Sequence, residues 1–334
     1  MVRPRLLSHR VIAAAVVASP VVLLPATASA ADLIMNGGTV TLGGVHTYGA
    51  VSLTNGARIE VPAFNGTDRT NTGNLVIKAD SITIDATSSI VAKGKGYQAG
   101  VCVNGPGPAA FPLSGGRGGC SVMDSGGGGA HFGIGGRGTK DCSGGTCTFP
   151  ADYEENCAGA PNAGNTACAS NASCWTNDGL PSVAGQPFWH SIYASEFGAA
   201  GGDKGCRDGD GFTLWSGTTT LITGGNGGGR IVLVAANSGQ SGVLTVNGTV
   251  NANGNRGCGA GNDSAGGGAG GSLLLIGDTV NVGASAVITA AGGRGGDTQL
   301  KSDPECTGTQ MSGTCDDCGG GGGERTDTPL ALDA

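Results

Sequence analysis

Glycine sets the limits on what this chain can fold into. Sixty-eight of its 334 residues are glycine, many of them in runs such as Gly227 to Gly229 and Gly319 to Gly323. Aromatic residues make up only 4%, so a core has to be built from Val, Ile, Leu and Ala. Side chains of that size fill narrow, stacked layers better than a broad globular interior. The glycines do not recur at every third position throughout, which excludes a collagen-like helix. Glycine runs can also pack as extended polyproline-II-type strands, because no side chain holds them apart.

Between the glycine runs, short segments alternate apolar and polar residues. Thr39 to Leu42, Val51 to Thr54 and Arg58 to Val61 do so, separated by Gly43-Gly44 and Asn55-Gly56. Period-two alternation bounded by Gly and Asn predicts short, half-buried strands. Leu75 to Ile77, Ser81 to Ile84 and Ser89 to Ala92 continue the pattern. No amphipathic helical stretch stands out.

The strands recur as a unit. Ile82 to Asp85 followed by Ser89 to Gly94 matches Leu244 to Asn247 followed by Thr249 to Gly254. Both match Val280 to Gly283 followed by Ala286 to Gly292. An apolar strand precedes each copy: Leu75 to Ile77, Ile231 to Val234 and Leu273 to Ile276. The stretch from Thr39 to Val61 reads as a degenerate fourth copy. One such unit buries little surface alone, so repeats of this kind stack. The expected fold is all-β, a parallel β-helix (solenoid)-like coil, with a sandwich of short antiparallel strands as the alternative. Asp85 and Asn247 take equivalent positions, as do Ser89 and Thr249.

The N-terminus carries Arg3, Arg5 and Arg10, an apolar run from Val11 to Pro25, and the small residues Ala28-Ser29-Ala30. This is the form of a secretory signal peptide, with cleavage expected after Ala30. The run is too short to span a bilayer and is broken by Pro20 and Pro25. No later segment is apolar enough to do so. Removing residues 1–30 takes away three arginines and no acids, so the net charge moves from −7 to −10. An acidic chain of this kind does not suit nucleic acid.

All 12 cysteines follow the signal segment: Cys102, Cys120, Cys142, Cys147, Cys157, Cys168, Cys174, Cys206, Cys258, Cys306, Cys315 and Cys318. An even number in an exported chain predicts disulfides, in pairings that the sequence leaves open. Metal binding at the C-x-x-C of Cys315 and Cys318 is the competing reading. It lacks a second close pair or suitably spaced histidines.

These signals divide the chain. Residues 1–30 are the signal peptide and 31–100 an N-terminal β-rich solenoid part. Residues 101–226 are a Gly/Cys-rich, disulfide-stapled insertion holding eight of the 12 cysteines and all three tryptophans. Residues 227–300 are C-terminal solenoid rungs, and 301–334 a Cys/Gly-rich tail.

The repeats resemble those of Gly-rich, adhesin-like bacterial exported proteins, a largely uncharacterised group thought to form β-helices. The matching stretches are Gly38 to Gly43, Ser52 to Gly56, Leu75 to Gly94 and Gly227 to Gly293. In such proteins a terminal glycine run leads into another strand. Here Gly319 to Gly323 is followed by Glu324 to Pro329, so a last rung is either missing or dispensed with. The resemblance implies an extracellular surface or matrix role and carries no catalytic residues.

Reactive groups are sparse. The densest charged cluster runs from Asp203 to Asp210 and includes Lys204, Arg207 and Asp208. It reads as a solvated Asp-Gly turn. Its rivals are a weak calcium site and the acid–base machinery of a polysaccharide lyase or hydrolase. His46, His131 and His190 have no partner at metal-ligand spacing, and no nucleophile elbow is present. Gly133 to Gly138 follows from composition and lacks the helix a phosphate site needs. Trp175, Trp189 and Trp215, with Tyr153, Tyr193 and Phe188, read as the small core of the insertion, with a sugar-stacking patch as the alternative. Thr218 to Thr220 is a run and not the Thr-x-Thr ladder of an ice-binding face.

The sequence therefore predicts a secreted structural or adhesive protein without catalytic residues, cofactors or bound metal. Its expected partners are extracellular glycans, matrix or cell surface. A β-helical polysaccharide-active enzyme and a glycan-binding module are the alternatives.

Overall fold

The computed structural model describes residues 30–99, 105–109, 114–116, 127–131, 196–202, 212–213, 219–220, 223–236, 241–260 and 263–295. Every regular element among them is a strand, and none is a helix. The chain opens with β1 (Leu33–Asn36) and β2 (Thr39–Thr41). Three triplets follow: β3 (Gly44–Thr47), β4 (Ala50–Thr54) and β5 (Arg58–Glu60), then β6 (Asn74–Ala79), β7 (Ser81–Ile84) and β8 (Ser89–Val91), and later β11 (Arg230–Ala235), β12 (Val243–Val246) and β13 (Thr249–Asn251). A last triplet is β16 (Ser272–Gly277), β17 (Thr279–Val282) and β18 (Val287–Thr289). Two small antiparallel ribbons complete the set: β9 (Phe212–Thr213) with β10 (Thr219–Thr220), and β14 (Gly259–Ala260) with β15 (Asp263–Ser264).

Each member of a triplet joins a different sheet. The first sheet has the order β1-β4-β7-β12-β17, the second β2-β5-β8-β13-β18 and the third β3-β6-β11-β16. Every pairing in these three sheets is parallel. The antiparallel sandwich is thereby excluded. Parallel neighbours need a crossover, and here the other two sheets supply it.

Register aligns like with like. In the first sheet Leu33, Val51, Ile82, Leu244 and Val280 form one inward row. In the second, Val40, Ile59, Ile90, Val250 and Ile288 do the same. In the third, Leu75, Ile231 and Leu273 lie side by side. The middle members of these rows are fully buried and belong to one core, whose partly exposed margins are the first and last strands. Alternation explains this: successive side chains point to opposite faces, so every second residue of each strand joins an apolar row that meets the others at the centre. Burying each such Ile, Leu or Val contributes about 1.5–3 kcal/mol. The chain turns between the first and second sheets with positive φ at Gly37, Gly38, Asn55 and Gly56, where Asn and Gly carry the least steric penalty.

The glycine runs leave from one corner. They follow β8 and β13 of the second sheet and return at β11 and β16 of the third; a further one follows β18. Their N–H groups bond across to other runs at intervals of three residues. Gly198 and Gly201 donate to the carbonyls of Gly228 and Gly225. Gly228 and Gly225 donate to Ala269 and Gly266, which donate in turn to Ala199 and Gly202. Three residues per turn without internal hydrogen bonds is the habit of a polyproline-II helix. Segment 265–271 is buried throughout. It hydrogen-bonds to neighbours within 127–131, 196–202, 223–229, 252–258 and 290–295.

Glycine is required here by distance. A Cβ built on Gly228 would lie 1.9 Å from the Ala252 carbonyl oxygen, and one on Gly266 would lie 1.8 Å from that of Gly127. Neither residue has a left-handed φ. The described parts of 101–226 thus interlock with segments 252–258 and 265–271, which belong to the C-terminal repeats.

Candidate functional surface

Two regions bring polar groups together among the described residues. The first lies where the glycine segments meet the sheets. Phe64, Tyr97 and Phe197 pack edge-on and tilted, with centroids 5.1–6.0 Å apart. Burial pushes the Tyr97 hydroxyl above its ordinary pKa. The Arg69 guanidinium stands 5.3 Å over the Phe197 ring and pairs with Glu196. The Ser272 hydroxyl donates to the Glu196 carbonyl at 2.7 Å, and the Arg230 guanidinium donates to the Asn74 side chain at 2.6 Å. The rings are almost wholly buried, so this cluster anchors the glycine segments on the sheets. Arg69 and Glu196 are 127 residues apart, and no local pattern joins them.

The second region is the outer face of the first sheet and the corner beside it. One outward row reads Ile34, Ser52, Thr83, Thr245 and Asn281, in unbroken register. Adjacent strands lie about 4.8 Å apart, so from Ser52 to Asn281 this row repeats small polar groups at that spacing. At the corner, Asn55 Nδ2 donates to Asn36 Oδ1 at 2.6 Å, and Asn55 N donates to Asp85 Oδ2 at 2.8 Å. Gly56 N donates to the Thr87 hydroxyl at 2.9 Å. Asp85 also receives the Thr87 N–H and hydroxyl, both at 2.9 Å. The Ser88 hydroxyl, set beyond regular hydrogen-bond geometry, faces the same carboxylate. Ser88 first, then the Asn55 N–H, then the Thr87 donors hold the Asp85 carboxyl well below the usual range.

Other residues singled out in the sequence fall into place less productively. His46 packs beside Tyr48, 6.1 Å between centroids, with Nε2 2.9 Å from the Gly43 carbonyl oxygen. It braces the turn between β2 and β3. Thr219 and Thr220 form the short antiparallel strand β10. Cys258 is buried, with Thr223 Oγ1 donating to its Sγ at 3.8 Å. Residues 1–29, the Asp203 to Asp210 cluster, His190, the three tryptophans with Tyr153, Phe188 and Tyr193, and the other 11 cysteines lie outside the described residues. Among the described residues no three His, Cys, Asp or Glu side chains converge as for a metal ion. No helix among them is long and apolar enough to cross a membrane. No family model, curated protein or solved structure matches this chain.

Proposed function

We propose that this chain is an exported structural or adhesive protein, its three parallel sheets wound as one parallel β-helix with a polyproline-II-type glycine bundle on its side. The cyclic visiting of the three sheets at constant register supports the β-helix. Disulfides among the 12 cysteines brace the glycine-rich region in this reading, and the signal segment directs the chain out of the cytosol.

The observation that carries the functional reading is the outward row Ser52, Thr83, Thr245 and Asn281, held in register over four adjacent strands. A stiff scaffold with hydroxyl and amide groups at a fixed repeat suits many weak, regularly spaced contacts. The partner is an extracellular glycan, a matrix polymer or a cell surface.

The test is retention of the exported protein on immobilised polysaccharides and on cells. Thr83→Lys with Thr245→Lys should weaken retention, because two long charged side chains then stand in the middle of the row. Thr249→Lys, on the neighbouring sheet, should leave it intact. Equal retention by all three proteins would remove the assignment to this face.

A further inference from the structure

The sequence contains seven Asn-Gly pairs, beginning at Asn36, Asn55, Asn65, Asn104, Asn226, Asn247 and Asn253. Asn-Gly is the dipeptide most open to spontaneous deamidation, because glycine offers no side chain to hinder attack by its own amide. The fold treats the seven unequally. The amides of Gly37, Gly56, Gly105, Gly227 and Gly254 are each committed to a hydrogen bond, at 2.8–2.9 Å. Gly248 is buried, with the site of a Cβ 2.2 Å from the carbonyl oxygens of both Asp85 and Ser88.

Asn65-Gly66 is different. Both residues are exposed, and the Gly66 amide donates to no protein group. Nothing lies within 4 Å of where a Gly66 Cβ would be. The Asn65 side-chain oxygen, in contrast, is crowded with donors. It accepts from Thr67 N at 3.0 Å, Thr67 Oγ1 at 3.2 Å and Asp68 N at 2.8 Å. Asn253 Oδ1 also accepts two hydrogen bonds, from Thr289 Oγ1 and Ala291 N. There, however, the following amide is tied to the Ala291 carbonyl. A free nucleophile and a polarised carbonyl coincide at Asn65 alone of the pairs whose asparagine is described.

We propose that Asn65 is a site of fold-directed deamidation, at which the loop's own donors activate the side-chain amide. The Gly66 nitrogen, losing its proton to solvent base, attacks Cγ of Asn65. Negative charge develops on Oδ1, where three donors already point, in the manner of an oxyanion hole. The Cγ–Nδ2 bond breaks, Nδ2 leaves as ammonia with a proton from water, and a succinimide ring remains. Water opens the ring to an aspartate or an isoaspartate at position 65. No redox partner or enzyme is needed. The product adds a negative charge to the loop between β5 and β6, beside Asp68.

The test is peptide mapping with isoaspartate detection on the full chain, aged in mildly alkaline buffer, folded and in denaturant. In the folded protein Asn65 is expected to convert about tenfold faster than any other Asn-Gly pair, with a Thr67→Val chain several-fold slower and a Thr67→Ser chain near wild type. In denaturant the seven should convert at similar rates. A folded chain in which Asn65 trails another pair overturns the proposal, as does a Thr67→Val chain that converts at the wild-type rate.

Discussion

Replacing Gly268 with alanine would place a methyl carbon 2.1 Å from the Asn226 carbonyl oxygen and 2.3 Å from its carbon. Ordinary contact begins near 3.4 Å, so segments 223–229 and 265–271 would have to part by about 1 Å or more in a close-packed interior. The obstructing atoms are backbone, and no rotamer change can relieve them. Three hydrogen bonds run through this point: Gly268 N to Asn255 O, Asn255 N to Asn226 O, and Gly293 N to Gly268 O. Weakening two or three of them costs about 1 kcal/mol each, and overpacking adds about 1–3 kcal/mol. The expected destabilisation is thus about 3–6 kcal/mol.

The sign of this effect is the informative part. Gly268 has no left-handed φ, so backbone preference alone would let alanine stabilise the fold by about 0.4–1 kcal/mol through the unfolded state. Gly56→Ala provides the contrast. Gly56 has a φ of +78° and open space around it, so alanine there meets only the left-handed penalty of about 1–2 kcal/mol. Denaturant unfolding of the three proteins, with disulfides intact, measures the difference. A Gly268→Ala chain as stable as wild type, or more so, would refute the argument that distance fixes glycine at this position.

Leu244 is fully buried in the central part of the first sheet, whereas Val282, in the next inward row on the last strand, is 57% exposed. Leu244→Ala should cost about 2–5 kcal/mol and Val282→Ala under about 1 kcal/mol, read from unfolding midpoints. Similar losses for the two would contradict an interior built row by row. Asp85 has a lowered folded pKa, so its contribution is present above the unfolded value of about 3.9. It fades as pH falls through the folded value. The stability gap between wild type and Asp85→Asn should therefore shrink on acidification, and a gap that widens would reverse the sign of the linkage. N-terminal sequencing of the exported protein is expected to begin at Ala31. Non-reducing peptide mapping should find all 12 cysteines paired, and free or metal-bound Cys315 and Cys318 would count against the disulfide reading.

The strands were legible because their alternation is a local property. Thr39 to Thr41, Arg58 to Glu60 and Thr249 to Asn251 each show one apolar residue between polar ones, and each became a strand with that residue inward. Parallel pairing is not local. It was suggested only by the recurrence of Ile82, Leu244 and Val280 in matching contexts, and these residues do lie side by side. The glycine segments were harder to read. A glycine run has no side-chain pattern to show which neighbour it will meet. The three-residue spacing of Gly198 and Gly201, or Gly225 and Gly228, becomes meaningful only once their bonds are known. The junction of Arg69, Glu196 and Phe197 joins residues too distant in sequence for any motif. Asn65-Gly66 is visible in the sequence only as one of seven such pairs, and the three donors to Asn65 depend on how the loop closes.

The most direct experiment incubates the exported protein with acidic and neutral polysaccharides and follows two quantities together: protein retained on the polymer, and new reducing ends or unsaturated sugars in solution. A structural or adhesive protein should be retained and release no product. Product that accumulates, and that is lost in an Asp208→Ala, Asp210→Ala chain, would contradict this and make the chain a polysaccharide-cleaving enzyme.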